Sequence, residues 1–102
     1  AQEALRWLEG SAKLDPFNAR THVAMGLCHQ WLGDVPSASK EFETALQLGP
    51  NDVPVLNAMA WNLIVRGEFD RARPLVEQSL AINPWDNWEA RSYAERLKAA
   101  RP

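Results

Sequence analysis

The sequence has a single cysteine, Cys28, which excludes a disulfide bond within the chain. It also has no apolar run near the roughly 20 residues that a membrane-spanning helix needs. An excess of basic residues is missing too, since 11 Lys and Arg against 13 Asp and Glu give a net charge of −2. Nucleic-acid-binding proteins use positive charge to displace counterions from phosphates, so this composition disfavours that class of function.

Residue patterns that carry catalysis or metal binding are missing as well. The five glycines are scattered singly, so there is no phosphate-binding loop. His22 and His29 lie two helical turns apart, too far for direct joint ligation of one ion. Cys28 points away from His29 on a helix, so the two do not form a nucleophile and its base. We therefore predict no enzyme activity, no cofactor and no metal site, with both histidines in packing positions.

The remaining composition is that of an ordinary globular protein. The 102 residues suffice for one compact domain, and 46% are hydrophobic while 24% are charged. The chain begins at Ala1 without an initiator Met, so we expect it to have been processed or excised from something longer. No basic-then-apolar secretion pattern follows Ala1, which slightly favours a cytoplasmic location.

Similar residues recur along the chain at a fixed distance. Pro16, Pro50 and Pro84 lie 34 residues apart, and each closes a similar run of sequence. The same spacing relates Ala4 to Ala38 and Ala72, Leu8 to Phe42 and Val76, Ser11 to Ala45 and Ser79, and Met25–Gly26 to Met59–Ala60 and Tyr93–Ala94. So many matches at one spacing, without a gap, indicate a true internal repeat.

Each unit of this repeat is predicted to be an antiparallel pair of helices. The first helix can be capped by a side chain two residues after each proline, namely Asn18, Asp52 or Asp86. It would end at Gly33 or Gly67, because glycine permits the left-handed conformation that terminates helices. The second helix runs to the next proline, which cannot extend it. Such a pair cannot bury its apolar face alone, so units must stack on one another.

Pro74 lies well inside the second helix of its unit. A proline there removes one hydrogen bond and crowds the preceding turn. We therefore predict that this helix begins near Asp70 or Arg71, or is kinked at Pro74.

The period, the small residues at Gly26 and Ala38, the bulky Phe42 and the closing prolines resemble the tetratricopeptide repeat. This resemblance covers essentially the whole chain and implies an all-α fold, a right-handed superhelix, or solenoid, of antiparallel helix pairs. A single domain is then expected over residues 1–102. It would consist of the second helix of a truncated repeat (1–16), two repeats (17–50 and 51–84) and a capping helix (85–102).

In tetratricopeptide folds the first helix of each repeat lines an inner groove, which implies a partner-binding groove in this chain. The resemblance places there Arg20, Val23, Leu27, Trp31, Asn57, Trp61, Ile64, Trp88 and Arg91. Trp61 lies opposite the apolar stripe of its helix, and an aromatic side chain off the packing face is a candidate binding residue. The alternative is that Trp61 covers a neighbouring helix and is half-buried.

Two binding modes of the family are not supported by the residues at the matching positions. The clamp for an acidic C-terminus needs Lys, Arg and Asn, but the chain has Val23, Leu27, Ala58, Trp88 and Ser92. The ladder of Asn that holds extended peptides would need Asn at Ala24, Ala58 and Ser92. The remaining groove is apolar and aromatic, so it would suit a helix or strand with apolar anchors.

We therefore predict a non-enzymatic protein–protein interaction module that binds a partner protein or peptide segment in the groove. The alternative is an oligomerisation or scaffolding module excised from a larger signalling or regulatory protein. Self-association through the amino-terminal helix is a further expectation, because Ala4 and Leu8 occupy places that normally pack against a preceding helix. That face is expected to be covered by a second copy or by further repeats. We predict no nucleic-acid or membrane partner.

Overall fold

Six α-helices account for most of residues 1–100, the part of the chain that this computed structural model describes. They are α1 (Gln2–Leu14), α2 (Ala19–Trp31), α3 (Val35–Leu48), α4 (Val53–Val65), α5 (Phe69–Ile82) and α6 (Trp88–Ala99). Residues 1–100 contain no strand, and the all-α prediction is confirmed. None of the helices in this range is long and apolar enough to cross a membrane. Arg101 and Pro102, at the end of the predicted capping segment 85–102, lie outside the described residues.

The helices form two compact units, unit 1 (Ala1–Pro50) and unit 2 (Asn51–Pro102). The boundary coincides with the predicted end of the repeat at residue 50. In unit 1, α2 packs against both α1 and α3, and in unit 2 the helices α4, α5 and α6 pack against one another. The single domain over residues 1–102 and the right-handed superhelix stay predictions.

Gly33 and Gly67 end α2 and α4, as the sequence predicts. Their φ angles are +83° and +77°, in the left-handed region. After α2, the Asp34 N–H donates to the His29 carbonyl at 2.8 Å and the Gly33 N–H to the Gln30 carbonyl at 3.1 Å. The turn at Gly67 repeats both bonds. This is a Schellman motif, which satisfies the last carbonyls of a helix and fixes the direction of the chain that follows.

The caps at the helix starts agree with the sequence in part. Asn18 caps α2, and its side-chain oxygen accepts from the Arg20 N–H at 3.1 Å. Asp52 occupies the cap position of α4. The prediction for Asp86 is wrong, because the cap of α6 is Asn87. The Asn83 side chain accepts from the Asp86 N–H at 3.2 Å, which holds Asp86 in the turn before the helix.

Helix α5 begins at Phe69, slightly before the predicted start at Asp70 or Arg71. The first hydrogen bond of the helix is donated by the Ala72 N–H to the Glu68 carbonyl at 3.2 Å. Pro74 lies inside the helix. It has no N–H to donate to the preceding turn, so one helical hydrogen bond is missing there. The kink at Pro74 stays a prediction.

Small and large side chains alternate across the helix contacts in the core. In unit 1, a Cβ on Gly26 of α2 would lie 2.8 Å from the Phe42 ring of α3, so only glycine fits. The equivalent residues of unit 2 are Ala60 and Val76, and all four are buried. Close approach of the two backbones therefore depends on a small residue on the first helix, as the sequence predicts.

Candidate partner-binding surface

Four of the predicted groove residues share one stripe of α2 in unit 1. Arg20, Val23, Leu27 and Trp31 follow one another at intervals of three or four residues, so they face the same way. The Trp31 side chain is 85% exposed and Leu27 is 45% exposed, while Val23 is half-buried and Arg20 is exposed. We call these four residues the α2 surface. It is an apolar and aromatic strip with one cationic end.

The opposite side of α2 is held in place by His22. Its Nδ1 lies 3.0 Å from the Glu41 carboxylate of α3, and its Nε2 lies 2.8 Å from the Pro16 carbonyl in the preceding loop. Met25, one turn further along, is buried. These contacts fix the rotation of α2 about its axis, so they determine which residues form the α2 surface.

The two acceptors around His22 favour the protonated ring. Burial lowers the pKa of His22, but the hydrogen bonds to Pro16 and Glu41 and the charge of Glu41 outweigh it and leave the pKa raised. Only the imidazolium can donate from both nitrogens at once. His22 thus has a hydrogen-bonding role in packing. In residues 1–100, no three His, Cys, Asp or Glu side chains are grouped so that they could hold a metal ion.

Asn57, predicted to line the groove, is buried in unit 2 with 4% of its surface exposed. Its amide Nδ2 donates to Asn87 Oδ1 at 2.9 Å, and its Oδ1 accepts from the Ser79 hydroxyl at 2.6 Å. The Asn87 Nδ2 lies 2.9 Å from Ser79 Oγ and closes the cluster. Asn57 therefore joins α4 to α5 and to the start of α6, and offers no open surface. Helical spacing alone does not reveal these partners.

Trp61 is half-buried in the contact between α4 and α6. Its ring stacks on Tyr93, with centroids 5.4 Å apart and an interplanar angle of 20°. The Arg96 guanidinium carbon lies 5.2 Å from the centre of the Trp61 ring. The structure thus matches the alternative interpretation, in which Trp61 covers a neighbouring helix. Ile64, one turn later on α4, is buried.

The predicted residues of α6 remain accessible. Trp88 is 72% exposed. Arg91 is exposed, and its guanidinium donates to the carbonyls of Pro84 and Trp85, the latter at 3.2 Å. Arg91 therefore connects the preceding loop to α6 by hydrogen bonds.

Trp85 is an exposed aromatic residue that the sequence interpretation missed. Its side chain is as exposed as that of Trp31, and its backbone N–H donates to the Asn83 side chain at 3.3 Å. Phe17, at the equivalent position of the first repeat, is exposed too. An aromatic residue directly after the closing proline, in a turn, is the signal that could have revealed both.

No protein-family model and no curated protein matches this sequence. Among solved structures, the chain is similar to the crystal structure of TTC0263, a thermophilic tetratricopeptide-repeat protein of Thermus thermophilus, with a TM-score of 0.84 and 26% sequence identity. The match covers 95% of this chain and 50% of that chain, so this chain spans half the length of that protein. The chain has the tetratricopeptide-repeat fold.

A tetratricopeptide-repeat fold supports a protein-interaction module in general, and folds of this type are typically non-enzymatic scaffolds. Interaction surfaces are enriched in aromatic side chains that stay accessible. The tetratricopeptide helices and loops of residues 1–100 carry five largely exposed ones, which are Trp7, Phe17, Trp31, Trp85 and Trp88. Of these, Trp31 continues an apolar helical stripe in the predicted groove.

Proposed function

We propose that the chain is a non-enzymatic protein–protein interaction module whose α2 surface binds a segment of a partner protein. The observation that carries this proposal is the exposure of Trp31 beside Leu27. Tryptophan contributes more than most side chains to interface affinity, because it buries a large area and loses little conformational entropy. The opposite face of α2 is already occupied by its contacts with Glu41 and Pro16. A partner therefore meets a preformed surface.

The chemistry of the α2 surface suggests what kind of segment it binds. Val23, Leu27 and Trp31 call for apolar anchors spaced along a helix or strand. Arg20 at the amino-terminal end of the stripe suits an acidic residue at the matching end of the segment. An anionic C-terminus would find apolar residues, Val23 and Leu27, where the clamp of the family has polar and basic ones. The proposed partner is thus an amphipathic segment with a predominantly apolar contact face.

Unit 2 contributes to the proposal differently. Trp88 and Arg91 remain predicted contact residues, because both are exposed. Asn57, Trp61 and Ile64 are assigned a supporting role, since they are buried or half-buried within the helix packing. Substituting these three would change binding through the stability of the fold.

Selection of peptides from a random library on the immobilised chain tests this proposal, and it needs no candidate partner. We expect the enriched peptides to share two apolar anchors and an acidic residue. Trp31→Ala should weaken the binding of a synthetic enriched peptide by at least about tenfold, equivalent to about 1.4 kcal/mol. Calorimetric titration measures this loss, and circular dichroism checks that helicity is unchanged.

Trp85→Ala is the matched control, because Trp85 is as exposed as Trp31 and lies outside the α2 surface. It should leave peptide affinity within about twofold. If Trp85→Ala abolishes binding while Trp31→Ala does not, the partner uses the loop of unit 2 and the α2 surface is not the binding site.

A further inference from the structure

One helix face is exposed in α1 although the same repeat positions are buried elsewhere. On α3 these positions hold Ala38, Phe42 and Ala45, and on α5 they hold Ala72, Val76 and Ser79; all six are at most 2% exposed. On α1 they hold Ala4, Leu8 and Ser11, of which Ala4 and Ser11 are exposed and Leu8 is half-buried. We call these three residues the α1 face. Its composition is that of a face made to pack against another helix.

A cleft of unit 2 is partly lined by apolar side chains. It lies between α5 and α6, with a volume of about 220 Å³, and its apolar walls include Val76, Leu80, Ala94 and Leu97. Ala94 occupies the repeat position of Gly26 and Ala60, which are both buried, yet Ala94 is half-exposed. The cleft, like the α1 face, is therefore exposed at repeat positions that are buried in the other helices.

A contact already present in unit 1 shows how the α1 face and the α5–α6 cleft would fit together. Phe42 packs on Gly26, and the equivalent residues in the repeat are Leu8 on α1 and Ala94 on α6. A large residue would again meet a small one.

The charges at the helix ends are complementary when the helices run antiparallel. Helix α1 has Glu3 in its first turn and Lys13 in its last turn. Helix α6 has Glu89 in its first turn and Lys98 in its last turn. Antiparallel pairing brings Glu3 near Lys98 and Lys13 near Glu89, so opposite charges meet at both ends.

We infer that the α1 face of one copy docks into the α5–α6 cleft of a second copy and completes a helix pair there. This self-association goes beyond the proposed function, because it uses the α1 face and the cleft in place of the α2 surface. The two docking faces differ, so the contact is head-to-tail. Each added copy leaves one face free at either end, and association continues unless a ring closes.

Sedimentation of the full chain tests the inference over a roughly hundredfold range of concentration, because mass action makes such association concentration-dependent. The wild type should grow in mass as concentration rises. Ser11→Arg places a charge in the α1 face, and Ala94→Arg places one in the cleft. Each should weaken association by at least about tenfold, because a buried unpaired charge is strongly unfavourable. Mixing the two variants should restore a complex of two chains, since each retains the face that the other lacks.

Gln2→Arg on α1 and Ala99→Arg on α6 are the matched controls. Both positions are exposed. The residues equivalent to Gln2, which are Pro36 and Asp70, are exposed as well. The same is true of the residues equivalent to Ala99, which are Trp31 and Val65. These controls should associate like the wild type. A wild type that stays monomeric overturns the inference, as do Arg variants that associate normally or a mixture that does not pair. Ser11→Arg alone keeps the test decisive if Ala94→Arg disturbs α6. Peptide binding to the α2 surface is measured separately and should be unaffected by Ser11→Arg.

Discussion

Units 1 and 2 place their polar contacts at different positions of the same repeat. In unit 1, the pair formed by His22 and Glu41 joins α2 to α3 at a half-buried position. The equivalent residues of unit 2 are Leu56 and Leu75. A hydrogen-bonded pair in one unit thus corresponds to two aliphatic side chains in the other.

The opposite exchange occurs elsewhere in the repeat. In unit 2, Asn57 and Ser79 join α4 to α5 through a buried hydrogen bond of 2.6 Å. The equivalent residues of unit 1 are Val23 and Ala45. In both exchanges, the two partners change character together. The repeat therefore specifies positions in contact, and each unit fills a contact with a matched pair, because an unpaired buried polar group would be costly.

The side-chain sizes of paired residues are matched in the same way. Gly26 and Phe42 meet in unit 1, where Ala60 and Val76 occupy the equivalent positions in unit 2. The smaller first residue goes with the larger second one. Replacing one member of a pair should therefore cost more than replacing both.

The largest effect on stability is expected for the pair formed by Gly26 and Phe42. Phe42→Val should lower the free energy of unfolding by about 2–4 kcal/mol, because it leaves a cavity against Gly26. Adding Gly26→Ala should recover at least about 1 kcal/mol, since it refills part of the cavity and alanine is the better helix former. Denaturant unfolding of both single variants and the double variant measures the coupling. Purely additive losses would mean that the two positions do not act as a pair.

A somewhat smaller effect is expected at the buried polar pair. Asn57→Val should cost about 1–3 kcal/mol, because it removes the acceptor of the Ser79 hydroxyl proton and the donor to the Asn87 side-chain oxygen. Ser79→Ala in the same chain removes one of these groups and should recover part of the loss. Denaturant unfolding measures both changes. The double variant carries the residue types that unit 1 has at Val23 and Ala45. A double variant less stable than Asn57→Val would contradict the comparison.

The contact of Trp61 with α6 has no counterpart in unit 1, because the equivalent residue there is Leu27, which is exposed. Trp61→Ala should cost about 1–3 kcal/mol, through loss of the Tyr93 stack, the Arg96 contact and buried area. Thermal unfolding measures the change. Trp88→Ala is the control in the same unit and should stay within about 0.5 kcal/mol of the wild type. Equal effects of the two substitutions would show that the stack adds no stability.

The smallest effect is a pH dependence that belongs to unit 1. The folded-state pKa of His22 is raised above its ordinary value of 6.5, so protonation stabilises the fold. This stability is complete below pH 6.5 and is lost as the pH rises through the folded-state pKa. The double substitution His22→Leu and Glu41→Leu, which copies unit 2, should flatten this decline in the melting temperature. An unchanged slope would show that His22 does not carry it.

The sequence predicts most of the fold because its main signals are local. The spacing of Pro16, Pro50 and Pro84 sets the units, and Gly33 and Gly67 end helices through their own backbone angles. Errors arise where a neighbouring side chain decides a boundary. The cap of α6 falls one residue later than predicted because the Asn83 side chain holds the turn.

The candidate site is less predictable because it depends on distant pairs. From helical spacing alone, Asn57 is expected to be a polar residue on an open face. In the structure it is hydrogen-bonded to Asn87, thirty residues later, and is buried. Spacing likewise predicts that Trp61 is a free aromatic residue, whereas in the structure Tyr93 stacks on its ring. Periodicity gives the direction of a side chain on its helix, whereas burial depends on what the other helices bring. The stripe on α2 could be predicted because no partner within unit 1 covers Trp31.

The Schellman turns at Gly33 and Gly67 also bear on how quickly the chain folds. Each turn returns the backbone within a few residues, so the helices that pack together within each unit lie close in sequence. Closing short loops costs little chain entropy, and helical proteins dominated by local contacts fold in roughly microseconds to milliseconds. A glycine held at positive φ thus shortens the conformational search for its helix pair, and the apolar faces of the two helices are exposed only briefly before they pack.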